Sequence, residues 1–413
     1  MNTYITAVAF AIPVFLILIC IEWIVSIRRG LIVNHPADMI SSLSSGLSNI
    51  LKDGLKISFA LISYNWLVEK FTIFKIDSFI LTIIIAFIIK DFAGYWIHRM
   101  NHRINIFWNR HIIHHSSEEF NLSCALRQSI SGFISFGAIF LIPAALFGIP
   151  PWILVIMGPI HLFMQFWYHT QLIDKMGFLE NILVTPSHHR VHHAINPEYI
   201  DKNYSQIFIF WDKLFGTFQK ELKEIPPIYG ILRPAKTWNP ILINFKHFFT
   251  LLMDAIMTKS WLEKIKVWFM PTGYRPNDVK KNNPIITIVE PKTLKKYKSN
   301  NSVFQLGWGY FQLIITLSMI FHLFLIENKF EFYYLYIYAG IIFTNIFSFT
   351  SLLDRSKIVY LSEIFKFILI SYIFFDLDFR WFDLNEINTY LFLILQFIFT
   401  IIYILILKKL KYN

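Results

Sequence analysis

Cysteine is nearly absent. Cys20 and Cys124 are the only two in 413 residues, so no disulfide framework, CxxC redox pair or cysteine-rich zinc site can be built. Charged residues are few as well, 16% of the chain against 55% hydrophobic, a balance outside the range of soluble globular domains. No HExxH segment is present for a zinc peptidase, no ExxH pair for a carboxylate-bridged di-iron bundle, and no glycine-rich loop for a nucleotide. Acidic residues are outnumbered, 27 against 38 basic, for a formal charge of +11, yet there is no compact basic domain to take a nucleic acid.

What the chain has instead is long apolar runs. A bilayer core about 30 Å thick needs roughly 20 apolar residues per helix. Such runs lie near 4–26, 43–66, 78–97, 130–148, 151–168, 304–326, 330–352, 358–376 and 388–407. The fold expected is all-α: a polytopic integral membrane protein of about nine transmembrane helices with a cytoplasmic, histidine-rich, two-metal domain. The first run has no small-residue cleavage site and reads as a retained anchor. Arg28 and Arg29 follow the first run, Arg355 and Lys357 lie between the seventh and eighth, and Lys408, Lys409 and Lys411 follow the ninth. The positive-inside rule places all three clusters in the cytoplasm if the N-terminus is outside.

The expected division is 1–77 for N-terminal spans, 78–240 for the histidine-rich catalytic domain, 241–303 for a cytoplasmic or interfacial segment and 304–413 for a four-span block. Residues 241–270 read as an amphipathic helix and 271–303 as loop. The final block reads as almost bare of unpaired polar groups, with His322 packed or hydrogen-bonded rather than a ligand.

Histidine carries the chemistry. His98 and His102 stand at i and i+4; His111, His114 and His115 form one HxxHH; His189, His192 and His193 form another. On a helix, positions i, i+3 and i+4 share a face, so each HxxHH aims three imidazoles at one point. Eight imidazoles exceed what one tetrahedral zinc uses, which implies two metals. A shell rich in imidazole and poor in carboxylate favours oxygen chemistry on iron over hydrolysis. The third span runs inward to His98, and a hairpin turning at 148–151 returns the chain inward at His169, so the clusters converge on one side. His169 is a further candidate ligand, with Gln165 four residues before it and His161 deeper; His188 points away from the 189/192/193 face. Asp91, two helical turns before His98, is the candidate carboxylate to orient a metal-bound imidazole. Asn121, Arg127 and Gln128 are candidates to line a substrate channel or bond the ligands, while Tyr204 and Asp212 take no role from spacing.

The stretches GYWIHRMNH, HHSSEEFNLSCALRQS, QFWYHTQLIDKMGFLENILVTPSHHRVHHAINPEYIDKNY and IFWDKLFGTF, within about 90–220, resemble the eight-histidine integral-membrane fatty acid hydroxylase superfamily. That superfamily includes sterol desaturases and carotenoid hydroxylases, and the wording is most similar to its alkylglycerol monooxygenase branch. The resemblance implies a non-heme di-iron centre under His98, His102, His111, His114, His115, His189, His192 and His193, and an O2-dependent enzyme that hydroxylates a lipid C–H bond. In that branch the carbon lies beside an ether oxygen, the hemiacetal collapses to a fatty aldehyde, and tetrahydrobiopterin is the reductant. Arg103 departs from the acidic residue of the animal enzymes, which bears on the pterin, or another external electron donor, and on the ether more than on the metals.

A sterol, carotenoid or acyl hydroxylase or desaturase on the same scaffold is the alternative within the class. A histidine-rich metal transporter or sensor is the alternative outside it, but permeation would need polar residues deep in several spans. The AT-rich residue usage fits a bacterial inner membrane, or the endoplasmic reticulum in a eukaryote, with the active site facing the cytoplasm.

Overall fold

The computed structural model describes residues 3–410, so Lys411 of the last basic cluster lies outside it. Seventeen helices follow in chain order among the described residues: α1 (Thr3–Arg28), α2 (Pro36–Gly54), α3 (Tyr64–Phe71), α4 (Phe79–Arg103), α5 (Asn105–Trp108), α6 (Ile112–His115), α7 (Ile142–Leu146), α8 (Pro151–Phe166), α9 (Pro186–His192), α10 (Phe210–Leu214), α11 (Pro240–Met257), α12 (Trp261–Phe269), α13 (Asn277–Asn282), α14 (Val303–Ile326), α15 (Phe332–Leu353), α16 (Ile358–Asp376) and α17 (Glu386–Leu410). Two-residue strands at Phe59–Ala60 and Ile134–Ser135 pair in parallel. The fold is all-α and that of a multi-pass membrane protein.

Among the described residues seven helices, not nine, are long and apolar enough to cross a bilayer: α1, α4, α11 and α14–α17. Three expected spans fail for identifiable reasons. The run at 43–66 breaks because α2 ends at Gly54 and Lys56 takes a left-handed φ of 54°. A side chain at Gly54 would also collide with the Phe324 ring, its Cβ lying 2.2 Å from the ring. The runs at 130–148 and 151–168 form only short apolar helices, Gly137–Leu146 and Pro151–Phe166, on either side of the expected turn. At 1.5 Å per residue these are shorter than the hydrocarbon core. Conversely α11, within the segment read as amphipathic, reaches spanning length. The segment read as loop contains α13.

α2 joins the two halves of the molecule. Ser41, Ser42, Ser44, Ser45 and Ser48 are all buried, and this polar face meets the histidine region through Ser45 Oγ, which donates to the Gln128 carbonyl at 2.9 Å. Its Ile40, Leu47 and Leu51 enter the largest hydrophobic core, shared with α14–α17. Burial of such side chains contributes roughly 1.5–3 kcal/mol each. α14 begins with a capping box in which Ser302 and Gln305 satisfy each other's backbone N–H groups.

The C-terminal block is not bare. Gln312, Asn345, Glu363, Lys366 and Gln396 are buried in it, and atoms of Gln312, Gln396 and Tyr403 have no hydrogen-bond partner, which corrects the reading of its spans as almost bare of unpaired polar groups. His322 behaves as expected, its Nδ1 3.1 Å from the Tyr338 hydroxyl.

Candidate metal centre

Local sequence aims the histidines. α4 ends one residue after His102, when Ile104 turns extended, so His98 and His102 occupy its last turns on one face. α6 is a single turn that holds His111, at its N-cap, beside His114 and His115. α9 starts at Pro186, whose missing N–H costs nothing in a first turn. Thr185 caps it with His188, which explains the extra imidazole: His188 Nδ1 lies 3.4 Å from the Thr185 backbone N–H and turns away from the cluster.

Nine imidazoles gather in two groups. His98, His102, His111, His115 and His192 form one, His114, His169, His189 and His193 the other, with the candidate ligand atoms of each within 4.8 Å of one another. In the second group the Nε2 atoms close a ring: His114 to His169 3.2 Å, His169 to His189 2.8 Å, His189 to His193 3.0 Å and His193 to His114 3.0 Å. In the first, His98 and His111 bring Nε2 atoms to 2.9 Å, while the buried Nε2 atoms of His102, His115 and His192 have no hydrogen-bond partner. Orphaned buried nitrogens are costly unless something binds them. A cation in each group satisfies all of them together, so these residues fit a metal pair.

The groups that orient the rings are backbone carbonyls. His98 Nδ1 donates to Tyr204 O at 2.7 Å, His192 Nδ1 to Lys202 O at 3.0 Å and His169 Nδ1 to Gln165 O at 2.8 Å. Each bond fixes the tautomer that leaves Nε2 as a lone pair. Gln165 thus acts through its main chain, and its side-chain amide donates to His161 O at 3.1 Å. His161 is buried against the Phe87 ring, outside both groups.

Asp91 touches no histidine, contrary to the expectation. Its carboxylate accepts from Ile207 N at 3.0 Å, Phe208 N at 3.1 Å and Trp211 Nε1 at 2.9 Å, bracing the loop after Tyr204. Asp212 accepts from Tyr204 N and Ser205 N, both at 2.8 Å, and from Thr217 Oγ1 at 2.6 Å. Asp212 therefore holds the peptide whose carbonyl holds His98, and Asp91 holds the loop that follows it. Spacing could not show this, because the contact belongs to the backbone. Asp212→Asn would turn an NH2 toward one of these donors; we expect a loss of about 1–3 kcal/mol in stability and a drop of roughly 10–100-fold in metal affinity, read by unfolding and metal competition.

Asn121 serves the framework rather than a channel, whereas Arg127 both lines the central cavity and is tied into the framework. Asn121 bonds Val33 O at 2.7 Å, and Arg127 pairs with Asp38 at 2.6 Å. Gln128 also lines this cavity, its amide bonded to Ala125 O at 3.0 Å. Arg103 meets Asp201 at 2.7 Å. Close approach matters at Gly94, where an added Cβ would fall 2.0 Å from Gln206 Oε1.

Burial, and secondarily the neighbouring imidazoles, hold His111, His115, His189 and His193 well below their ordinary pKa. His169 is pushed down to about 3 by burial, against the opposing pull of the Gln165 carbonyl. Neutral imidazole is the ligand form. For the metal-free protein, a folded pKa below the unfolded value of about 6.5 means the unfolded chain binds more protons. The stabilisation is therefore complete above that pH and lost as pH falls toward 3. Melting of metal-stripped protein should be flat above about pH 7 and decline steeply from about pH 6.5 to 5; a flat profile throughout would mean that the rings are solvated.

Two cavities flank the imidazoles. One of about 450 Å³ reaches His98, His111, His114, His169 and His189 from a side lined by Phe15, Leu162 and Phe166, with Asn49, Lys52, Arg110 and Gln128 also on its wall. The other, of about 360 Å³, reaches His102, His115, His192 and His193 from the loops carrying Asp201, Arg233 and Thr272.

A multi-pass helical protein with nine imidazoles, most of them buried, in two metal-sized groups defines a class of membrane metalloprotein. The chain belongs to the fatty acid hydroxylase family. The model of that family matches residues 83–217. Alkylglycerol monooxygenase from Homo sapiens is 41% identical over 269 residues, 64% of this chain and 59% of the relative. Its counterpart from Xenopus tropicalis is 35% identical over 321 residues, 75% of this chain and 69% of the relative. Ornithine lipid hydroxylase OlsE from Rhizobium tropici is 28% identical over 155 residues, 38% of this chain and 44% of the relative. The chain thus spans about 59% of the human relative's length. No solved structure matches it.

Proposed function

We propose that the protein is an O2-dependent, non-heme di-iron lipid monooxygenase that hydroxylates the carbon beside the ether oxygen of an alkylglycerol-type lipid. The observation that carries the reading is the pair of imidazole groups with orphaned buried nitrogens between two cavities. His98, His102, His111, His115 and His192 would hold one iron, and His114, His169, His189 and His193 the other. Bound there, the irons would supply activation of O2 toward an unactivated C–H bond. The balance is one C–H bond, one O2, two electrons and two protons giving C–OH and water. With an ether neighbour, the product is a hemiacetal that expels the glycerol hydroxyl and leaves an aldehyde.

The protein's own part is placement. Phe15, Leu162 and Phe166 would take the alkyl chain from the membrane side, while Asn49, Arg110 and Gln128 offer hydrogen bonds to a glycerol head. The second cavity, bounded by the loops that carry Asp201, Arg233 and Thr272 together with apolar residues such as Ile195 and Ile231, would admit the electron donor, a tetrahydrobiopterin or another soluble reductant, to the opposite face. Keeping the two ligands on opposite sides lets a lipid and a water-soluble molecule reach one centre. The orientation proposed puts these loops in the cytoplasm.

The test is turnover by the full-length purified protein loaded with iron, given 1-O-alkylglycerol, O2 and tetrahydrobiopterin, with aldehyde as the readout. No aldehyde from the alkylglycerol, but a hydroxylated product when an acyl lipid or a sterol is supplied in its place, would transfer the reading to another substrate on the same scaffold. Leu162→Trp should lower kcat/KM by about tenfold or more by filling the chain cavity while leaving metal content intact.

A further inference from the structure

A further cavity with chemistry of its own lies in the C-terminal block, on helices that carry no histidine. α17 stands off α16 and leaves about 540 Å³ between them, lined by Phe367, Phe374, Gln396, Thr400 and Tyr403 along with Glu363. That volume is within the range of small-molecule sites. Its rim includes Ile364, Phe367 and Phe397, each about 60% exposed, so it opens sideways on surfaces that face the apolar phase of a bilayer.

The inner wall is polar and nearly balanced. Glu363 pairs with Lys366 at 3.0 Å and accepts from Thr400 Oγ1 at 2.7 Å. Lys366 donates to Asn345 Oδ1 at 3.2 Å, and Asn345 donates to Gln312 Oε1 at 3.1 Å. The two charges cancel. Three atoms of the lining residues have no hydrogen-bond partner: Glu363 Oε1, held only by its ion pair with Lys366, the Tyr403 hydroxyl, and the Oε1 of Gln396, a residue 6% exposed. An intramembrane polar cluster of this kind is expensive to keep, and a buried unpaired amide adds to the cost.

We propose that this cavity binds a long-chain lipid alcohol, an apolar tail with a neutral hydroxyl head that bonds the Gln396 amide. The tail follows from the phenylalanine lining and the lateral opening. The neutral head follows from the Glu363–Lys366 pair, which leaves no net charge to answer, so an anionic head would face the Glu363 carboxylate in a medium of low dielectric. A hydroxyl follows because the orphaned amide oxygen needs a donor, which a ketone lacks, while an amine would be protonated and bring a net charge. A hydroxyl both donates and accepts, so it satisfies either rotamer of the amide. The site is independent of the histidine centre.

The test uses full-length protein in phosphatidylcholine nanodiscs and a diazirine-bearing hexadecanol as photoprobe, with labelled peptides mapped by mass spectrometry. Label should concentrate on 358–376 and 386–406 and be displaced by hexadecanol, but not by hexadecane or palmitate. Gln396→Leu should lower that label about tenfold, the loss of one buried hydrogen bond, without changing the melting temperature. Glu363→Gln should turn palmitate into a competitor, because Lys366 would then lack its counter-charge. If hexadecane displaces the probe as well as hexadecanol does, bulk acyl chains fill the cleft and the proposal is wrong; this comparison needs only the unmutated protein. Label unchanged in a folded Gln396→Leu would equally overturn it.

Discussion

Replacing His192 or His169 with alanine is expected to remove about one of two metal ions each, and replacing both to remove nearly all. The two residues sit in different imidazole groups, so their losses should add rather than overlap. The measurement is metal analysis of full-length protein produced with iron supplied, alongside a His188→Gln control. His188 caps α9 and points away, so that control should keep about two ions. Turnover should fall below detection in all three alanine variants, since both ions act together on O2. The His169 result is the sharper one, because this residue lies outside both HxxHH segments and is set by α8. Full metal content in His169→Ala would cut the second group to three ligands; absence of iron from the unmutated protein would remove the oxygenase reading altogether.

Arg127→Met is expected to destabilise the protein by about 3–5 kcal/mol, among the largest single-residue effects away from the histidines. Arg127 is 2% exposed and pairs with Asp38 Oδ1 at 2.6 Å. It also donates to Ser42 Oγ at 3.0 Å and Ser116 Oγ at 2.7 Å, so it ties α2 to the segment just after α6. Most of the cost comes from leaving the Asp38 carboxylate buried and alone. Arg127→Met combined with Asp38→Asn should therefore recover a large part of it, and a double-mutant cycle by denaturant unfolding in detergent measures how much. A single-variant cost below about 1 kcal/mol would mean that water reaches the pair.

The histidines were legible because helical spacing of three and four fixes a face whatever surrounds it. His169 was legible only as a possibility, since its approach depends on how α8 ends. The orienting groups were not legible: Tyr204, Lys202 and Gln165 act through carbonyls that every residue possesses. Asp91 was placed on the correct helix but assigned to the wrong partner, because a shared face does not say which neighbouring loop comes to meet it. The span count failed where average hydropathy cannot see a break, as at Gly54 and Lys56. The polar cluster of the C-terminal block escaped notice because its members are dispersed over α14–α17 and become a cluster only when the helices pack.

The two-faced helix α2 sets an order of assembly. It leaves the ribosome early, yet the helices that cover its apolar face, α14 and α15, are made only after the whole histidine region. Until they arrive, Ile40, Leu47 and Leu51 have lipid or a chaperone for company, and the Arg127–Asp38 clasp closes on a helix not yet held from behind. Chains tend to fold in the sequence in which they are synthesised, so the histidine region gathers first and is braced from behind through α2 only when the C-terminal helices are complete.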